Sequence, residues 1–542
     1  MRTQSISSLS GSISVISSRQ LYSRLLLALR RANWSALLTG AGLFGLFVAL
    51  LALVQFATPN LAGNDGYYHI KLAQVMRQQG LRPAFPWLPM TILNPEAYVD
   101  HHFLFHVLLT PFTLGDLRLG AKWASVILPA ATFLVGWILL RGQRVPYAPI
   151  WALGFLAVSE AFLYRMSMPR TQAPSLLVLL LALHLLFTRR YRWLLPLSFL
   201  YVWLYDAFPL VIALVGVYVA SRLLLDRVLD LKPLIFSGVG IGLGLLINPY
   251  FPDNLIFVYN HLLPKLTDPT AISVGNEWKP YQTWTLVENS GLALAAFIGG
   301  AFALGFNRQR MSTRTATTFF LAIFFGLMLF KSRRFVEYFP AFALIFAAFA
   351  WAPLIRRWLA GPAWRLKLDL SLNEKRIRLP FLELKRPERV RILALVLVIA
   401  WLPLLSSTIQ DAQQSIQRTK PYEQYGAASA WLEANTPAGS RVFQTDWDDF
   451  PLLYFHNTHN TYLVGLDPTY LQLYDADLYD LWVDITRGRV EAPAQTIADT
   501  FGSSHVLTDL RHKSFLRQAE SDPGLVEVYR DEYAAIFEVV IR

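Results

Sequence analysis

Between Ser35 and Ala57 the chain runs for 23 residues without a charge, and comparable apolar runs recur down to Ser407. Runs near 20 apolar residues are long enough to cross a bilayer as helices. Inside hydrocarbon the backbone polar groups must be satisfied within the segment, so helices are the expected form. Eleven such segments can be read: 35–57, 119–140, 145–163, 172–188, 193–206, 209–226, 233–248, 290–306, 315–331, 335–353 and 389–407. With only 16% charged residues against 54% hydrophobic ones, the composition agrees with a polytopic membrane protein. The absence of cysteine excludes disulfides, thiolate metal sites and cysteine nucleophiles.

The net charge of +12 is placed for topology, not for nucleic acid. Arg141–Arg144, Arg189–Arg192, Arg222–Lys232, Arg308–Arg314 and Arg356–Arg391 are basic loops. All fall on one side if the N-terminus lies on that side too. Cytoplasmic loops carry such an excess, so eleven spans with a cytoplasmic N-terminus fit the rule. Residues 1–34, with Arg2, Arg19, Arg24, Arg30 and Arg31 and no acid, read as a basic cytoplasmic leader. His101–Leu114 reads as an interfacial helix, because counting it as a span would put Arg141–Arg144 outside. The expected organisation is a basic segment 1–34, a transmembrane domain 35–407 with long external loops 58–118 and 249–289, and an external domain 408–542. In that last region charge rises and apolar runs shorten to strand length. Helices are expected over 422–435, 473–487 and 492–501. Strands are expected at Arg441–Thr445, Thr461–Gly465, His505–Thr508, Val526–Tyr529 and Ala535–Ile541, which makes a small α/β domain. The whole is expected in the inner (plasma) membrane.

The polar residues worth attention lie on the external side. Asp65, the first acid in the chain, follows the first apolar run within Asn64-Asp-Gly-Tyr-Tyr68-His69. A carboxylate at a membrane boundary is costly without a partner, and so points to function; it could also simply cap a helix. Glu277 stands in Ser273-Val-Gly-Asn-Glu277 on a long external loop. Asp65 and Glu277 could share a divalent cation, Mg or Mn, or one could act as a base. His69 and His102 are the histidines that could join such a cation. Lys331, Arg333 and Arg334 stand where the orientation rule disfavours basic residues, and guanidinium groups suit phosphate. Asp446, Trp447 and Asp448, with Asp449, could be a turn or an acceptor-binding stretch.

In this order along the chain, these motifs resemble those of the GT-C superfamily of membrane glycosyltransferases. Within it the chain is most similar to the catalytic subunit of oligosaccharyltransferase and its bacterial and archaeal relatives. Asp65-Gly-Tyr-Tyr-His resembles the first acidic motif, whose Asp binds metal and acceptor. Ser273–Glu277 resembles the Ser-Val-Ser-Glu motif, and Arg333 or Arg334 the arginine that contacts the lipid pyrophosphate. Thr445–Asp448 resembles the stretch leading into the Trp-Trp-Asp-Tyr-Gly signature. Two departures stand out. The family's Asp-x-Asp or Asp-x-Glu pair is missing from Tyr164–Gln172, where Arg170 could supply positive charge instead. The signature itself reads Asp446-Trp-Asp-Asp-Phe450, which implies an acceptor other than the usual peptide sequon. The resemblance implies an inverting transferase moving a sugar or oligosaccharide from a polyprenyl-(pyro)phosphate donor to a protein, glycan or lipid acceptor. Asp65 and Glu277 would be catalytic, Arg333, Arg334, Lys331 and Arg170 would bind donor phosphate, and Trp447, Asp448, Asp446 and Tyr68 would bind acceptor. A polytopic transporter or glycolipid flippase is the alternative, which predicts ionisable residues in mid-span instead.

Overall fold

The computed structural model describes residues 34–267, 276–307, 309–361, 364–366, 369–372, 375–378, 382–384 and 386–541. The basic leader and Ser273–Gly275 lie outside the described residues. Two compact units are resolved, Met1–Leu46 and Phe47–Arg542. Of the first, the described part is the opening of helix α1 (Trp34–Gln55). The second holds all the elements that follow.

Among the described residues, seven helices are long and apolar enough to cross a membrane. They are α1, α4 (Leu117–Gly142), α9 (Pro209–Asp226), α12 (Thr283–Phe306), α13 (Thr313–Lys331), α14 (Phe339–Ala360) and most of α15 (Arg386–Gln417). Shorter apolar helices fill other expected spans: α7 (Gln172–Phe187), α8 (Leu194–Leu204) and α10 (Lys232–Leu246). They are partly buried against neighbours, so they need not meet the length rule for a lipid-facing helix. α14 is buried along most of its length, whereas the apolar stretch of α15 is almost wholly exposed.

The expected span 145–163 is not one helix. It breaks into α5 (Ala148–Leu153), a 3-10 turn at Gly154–Leu156 and α6 (Glu160–Met166). The break is local chemistry: the Ser159 hydroxyl accepts from the Phe162 N–H at 3.2 Å and starts a new helix. The stretch before α4 holds α2 (Asp65–Gln79) and α3 (Phe103–Leu109), the latter extended by a 3-10 turn to Thr113. α3 is thus a short apolar helix, as expected of 101–114. α11 (Asp253–Thr267) precedes Glu277.

The loop expected between Arg356 and Arg391 carries two antiparallel hairpins, β1 (Trp364–Leu366) with β4 (Leu382–Leu384) and β2 (Asp369–Leu372) with β3 (Lys375–Arg378). α15 continues past Ser407 into the region expected to be soluble. Its last turns are polar but partnered: Gln413 donates to the Leu53 carbonyl at 2.8 Å and Ser415 to Glu160 at 2.8 Å.

Beyond α15 lies a five-stranded mixed sheet in the order β6-β5-β7-β9-β8, from β5 (Arg441–Gln444), β6 (Thr461–Tyr462), β7 (His505–Asp509), β8 (Leu525–Arg530) and β9 (Ala534–Val539). β5 pairs in parallel with β6 and β7; β9 runs antiparallel to β7 and β8. All expected strands are present. The helix Lys513–Ser521 was not expected; Phe515, Leu516 and Ala519 make its single buried stripe. The sheet region is tied to the stretch before α4 through backbone bonds, Tyr462 N–H to Trp87 O at 2.9 Å and Ile92 N–H to Tyr470 O at 3.1 Å.

One buried lysine fixes the approach to α2. Lys122 on α4, 2% exposed, donates to the carbonyls of Gln55, Thr58 and Asn60 at 2.5, 2.7 and 2.7 Å. These carbonyls end α1 and lead to Asp65. Replacing Lys122 with Met keeps the volume but orphans them, at a cost of about 2–4 kcal/mol. The expected result is a clearly lower thermal midpoint of the full chain in detergent; an unchanged midpoint would remove this role.

Candidate functional site

Asp65 is the first residue of α2, not its cap. Asn64 precedes the helix, and neither side chain closes a capping bond. Both are engaged elsewhere: Asn64 Nδ2 donates to Asp448 Oδ2 at 2.7 Å, and Asp65 Oδ2 meets Arg170 Nη2 at 3.0 Å. A carboxylate in the first turn still gains from the helix dipole. Gly66 makes the approach possible, since a Cβ there would lie 2.0 Å from Pro169 Cγ. With no side chain at 66, the segment carrying Arg170 can lie against α2.

From Asp65 a chain of charges runs through four separate segments. Arg170 Nη1 reaches Glu277 Oε1 at 3.3 Å. Arg165 grips Glu277 with both terminal nitrogens, at 2.6 and 3.2 Å. Its Nε donates to Glu337 Oε1 at 3.0 Å, with a second bond from Nη2 to the same oxygen. Arg334 Nη1 lies 4.0 Å from Glu277 Oε2, and its Nη2 donates to the Tyr205 hydroxyl. The Arg334 guanidinium sits 5.1 Å from the Trp278 ring centre, within cation–π range.

The two candidate catalytic carboxylates are driven in opposite directions. Burial would raise Glu277, but Arg165, Arg170 and Arg334 around it hold its carboxyl well below the usual range. Burial pushes the Asp65 carboxyl up, and Glu277 adds to this against the pull of Arg170. Glu277 is therefore held as an anion, while Asp65 has the higher proton affinity of the two.

The divalent cation raised from sequence does not fit these residues. Glu277 accepts from guanidinium groups on both oxygens and Asp65 meets one at Oδ2, so the positive charge that a cation would bring is already supplied. His69 Nδ1 is hydrogen-bonded to His106 Nε2 at 2.8 Å, and His106 Nδ1 to Asp100 at 2.7 Å. His102 stacks on Tyr205, with centroids 5.5 Å apart. Among the described residues no three His, Asp or Glu side chains converge as metal ligands. Arg170 stands as the positive charge beside Asp65.

These groups face a cavity of about 660 Å³. Asp65, Tyr68, His69, His102, Arg170, Glu277, Arg334, Asp446, Trp447 and Asp448 all line it, so it gathers sequence candidates from six segments. Arg333 and Lys331 do not line it. Arg333 turns away to the Pro280 carbonyl at 3.2 Å and the Tyr281 ring, and Lys331 is exposed at the end of α13. Tyr68, 3% exposed, shares a 3.4 Å hydroxyl contact with Tyr98 and shows the cavity part of its ring. On the sheet side, Asp446 accepts from the Asp448 N–H at 3.0 Å, which is the turn role, and faces His512 at 3.6 Å.

Sequence reasoning missed the residues that hold the candidates in place. Arg165 lies behind the wall. Lys420, just after α15, bridges Asp448 at 3.1 Å and Asp449 at 2.8 Å. Asp206 pairs with His261 at 2.9 Å on the far wall; burial would raise it, yet His261 holds it low. Arg165 carried one signal, a basic residue on an external loop, which the same rule flagged at 331–334. Lys420 carried none.

Arg165 neutralises two carboxylates, one of them fully buried. Arg165→Leu leaves the buried Glu337 without its partner and Glu277 with only Arg170 and Arg334, and breaking such a buried pair costs about 3–5 kcal/mol. The full chain in detergent is expected to lose much of its thermal stability, while a double Arg165→Leu/Glu337→Leu variant recovers part of it. Equal losses in both would mean that charge pairing is not what Arg165 contributes.

No protein-family model matches the sequence, and no curated protein matches it. Solved structures do. The apo oligosaccharyltransferase of Archaeoglobus fulgidus superposes with a TM-score of 0.62 at 13% identity, over 94% of this chain and 75% of that one. ArnT from Cupriavidus metallidurans, bound to undecaprenyl phosphate, gives 0.50 at 14% identity, over 93% and 98%. The mycobacterial arabinofuranosyltransferase AftD gives 0.50 at 14%, over 92% of this chain and 40% of that one. At such identities the likeness concerns the fold, and on it this chain has the GT-C-like fold of membrane glycosyltransferases.

Proposed function

We propose that this chain is an inverting glycosyltransferase that moves a sugar or oligosaccharide from a polyprenyl-(pyro)phosphate donor to an acceptor on the extracytoplasmic face. One observation carries the reading: a buried carboxylate whose proton affinity is raised, Asp65, and an arginine, Arg334, face the same cavity and are joined through Arg170 and Glu277. The first can take a proton from an acceptor; the second can meet a departing phosphate.

In this reading the acceptor nucleophile approaches from the side of Asp446, Trp447 and Asp448. Its proton passes to Asp65 as its bond to the anomeric carbon forms. The bond from that carbon to the phosphate oxygen breaks in line, and the charge left on the lipid phosphate is met by Arg334 and Arg170. A single displacement inverts the anomeric centre and needs no covalent enzyme intermediate. Glu277, locked as an anion, is a positioning residue for the three arginines. The placement of basic loops supports the extracytoplasmic side. The transporter alternative is disfavoured because the ionisable cluster lies at the ends of short helices and in the segments between helices, not in the middle of the long apolar ones.

Two outcomes test the proposal. With labelled polyprenyl-linked sugars and membrane extract, purified protein transfers label, and Asp65→Asn loses transfer by about 10²–10⁴-fold, the scale of general-base catalysis. The variant still binds undecaprenyl phosphate, whereas Arg334→Gln binds it more weakly. Full transfer by Asp65→Asn would end the assignment. The second outcome concerns pH. Burial, with Asp65 and Asp446 nearby, outweighs Lys420 and pushes the Asp448 carboxyl up to about 6. Below that pH Asp448 is protonated and loses its ion pair with Lys420. The acceptor KM is expected to rise as pH falls through about 6, and Asp448→Asn to flatten that limb. An identical pH profile in the variant would release Asp448 from the acceptor side.

A further inference from the structure

A second cavity, of about 980 Å³, lies away from the candidate site. Its wall carries Arg189, Arg222, Arg310, Arg314, Arg356 and Arg357, with Asp226 its one acid among the described residues. Four helices connect the two cavities. α7 starts just after Arg170 and ends at Phe187; α9 starts just after Asp206 and ends at Asp226. α13 starts at the second cavity with Thr313 and ends just before Arg334; α14 starts after Glu337 and carries Arg356 and Arg357 near its end at Ala360. The 19 residues of α13 rise about 28 Å, close to the hydrocarbon thickness of about 30 Å. The second cavity thus opens at the opposite membrane face.

Three of the arginines there are oriented without being neutralised. Arg310 donates to the Leu225 carbonyl at 2.6 Å, Arg356 to the Arg144 carbonyl at 2.6 Å, and Arg357 to Asn307 Oδ1 at 3.4 Å. Carbonyl and amide partners fix a guanidinium but leave its charge. Among the described residues only Arg222 of the six forms an ion pair, with Asp226 at 3.7 Å and Asp230 at 2.7 Å. Asp226 is further occupied by Thr313 at 2.7 Å. Five of the six are solvent-exposed, so water and salt screen their mutual repulsion without removing it, and an anion among them would lower it further. Ordinary positive-inside charge has no need of a cavity. This one also has apolar walls, from Phe187, Leu304 and Phe349. Charge at the rim and apolar surface within suit a phosphate ester that carries a hydrocarbon chain.

We propose that this cavity binds a phosphate anion at the membrane face opposite the candidate site, carried by an anionic phospholipid headgroup or by a soluble phosphate. Guanidinium forks would grip the phosphate oxygens.

The full chain, purified in mild detergent and stripped of lipid, is offered phosphatidylglycerol, phosphatidylcholine or inorganic phosphate, and binding is read by native mass spectrometry and thermal shift. Phosphatidylglycerol is expected to bind and phosphatidylcholine not to. Displacement of the lipid by millimolar phosphate would show that the phosphate alone is recognised; resistance to displacement would assign the lipid as the source. The Arg314→Ala/Arg357→Ala variant should bind about tenfold more weakly, as loss of charged hydrogen bonds implies. Arg192→Ala removes a charge from a neighbouring loop but not from the wall, and should bind as the parent does. Should the double variant not fold, the exposed single change Arg314→Glu takes its place. Equal binding by parent and cavity variants, equal loss in Arg192→Ala, equal uptake of phosphatidylcholine, or no binding of either phosphate source would each overturn the proposal.

Discussion

The site depends on one interaction, the run of carboxylates and guanidinium groups from Asp65 through Arg170, Glu277 and Arg165 to Glu337. Each of these groups is largely withdrawn from water, and none could stay there charged by itself. Together they pair at every step. The run also crosses the chain: it joins the start of α2, the stretch between α6 and α7, the segment before α12 and the turn between α13 and α14. Segments far apart in sequence are held in one wall by charge, where apolar packing could not position polar side chains so closely.

The same pairing divides the labour between two acids. Glu277 is surrounded by three arginines and cannot give up its charge. Asp65 has one, at 3.0 Å, and its own burial acts against ionisation. Identical chemistry thereby acquires two different proton affinities within one cavity. Asn64 then couples Asp65 to the sheet region through Asp448. Trp87 and Ile92, in the stretch after α2, add backbone hydrogen bonds to that region.

What could be read from the sequence was whatever leaves a local trace. Apolar runs gave most helices, since burial or lipid contact acts on each run separately. The strands were legible through their short apolar pattern. The span at 145–163 failed because hydropathy averages over a window, while the break rests on one hydroxyl, that of Ser159. Asp65, Glu277 and Arg334 were legible as charges in costly places. Their order along the chain could not reveal that Arg333 turns outward while Arg334 turns in; that depends on the backbone bond from Arg333 N–H to Lys279 O at 3.1 Å. Arg165 and Lys420 went unassigned because their partners come from distant segments.

Arg170 makes sense of the departure from the related motif on its loop. Asp65 and Glu277, left facing one cavity without further company, would repel. A cation between them is one remedy, which calls for additional carboxylate or imidazole ligands. Here the stretch between α6 and α7 offers no carboxylate and places Arg170 within 3.0 Å of Asp65 and 3.3 Å of Glu277. A guanidinium supplies a charge that needs no recruitment, and its planar fork serves both acids at once. The absence of a carboxylate on that stretch and the presence of Arg170 therefore go together: adding carboxylates there while Arg170 remains would add uncompensated negative charge to a wall already paired.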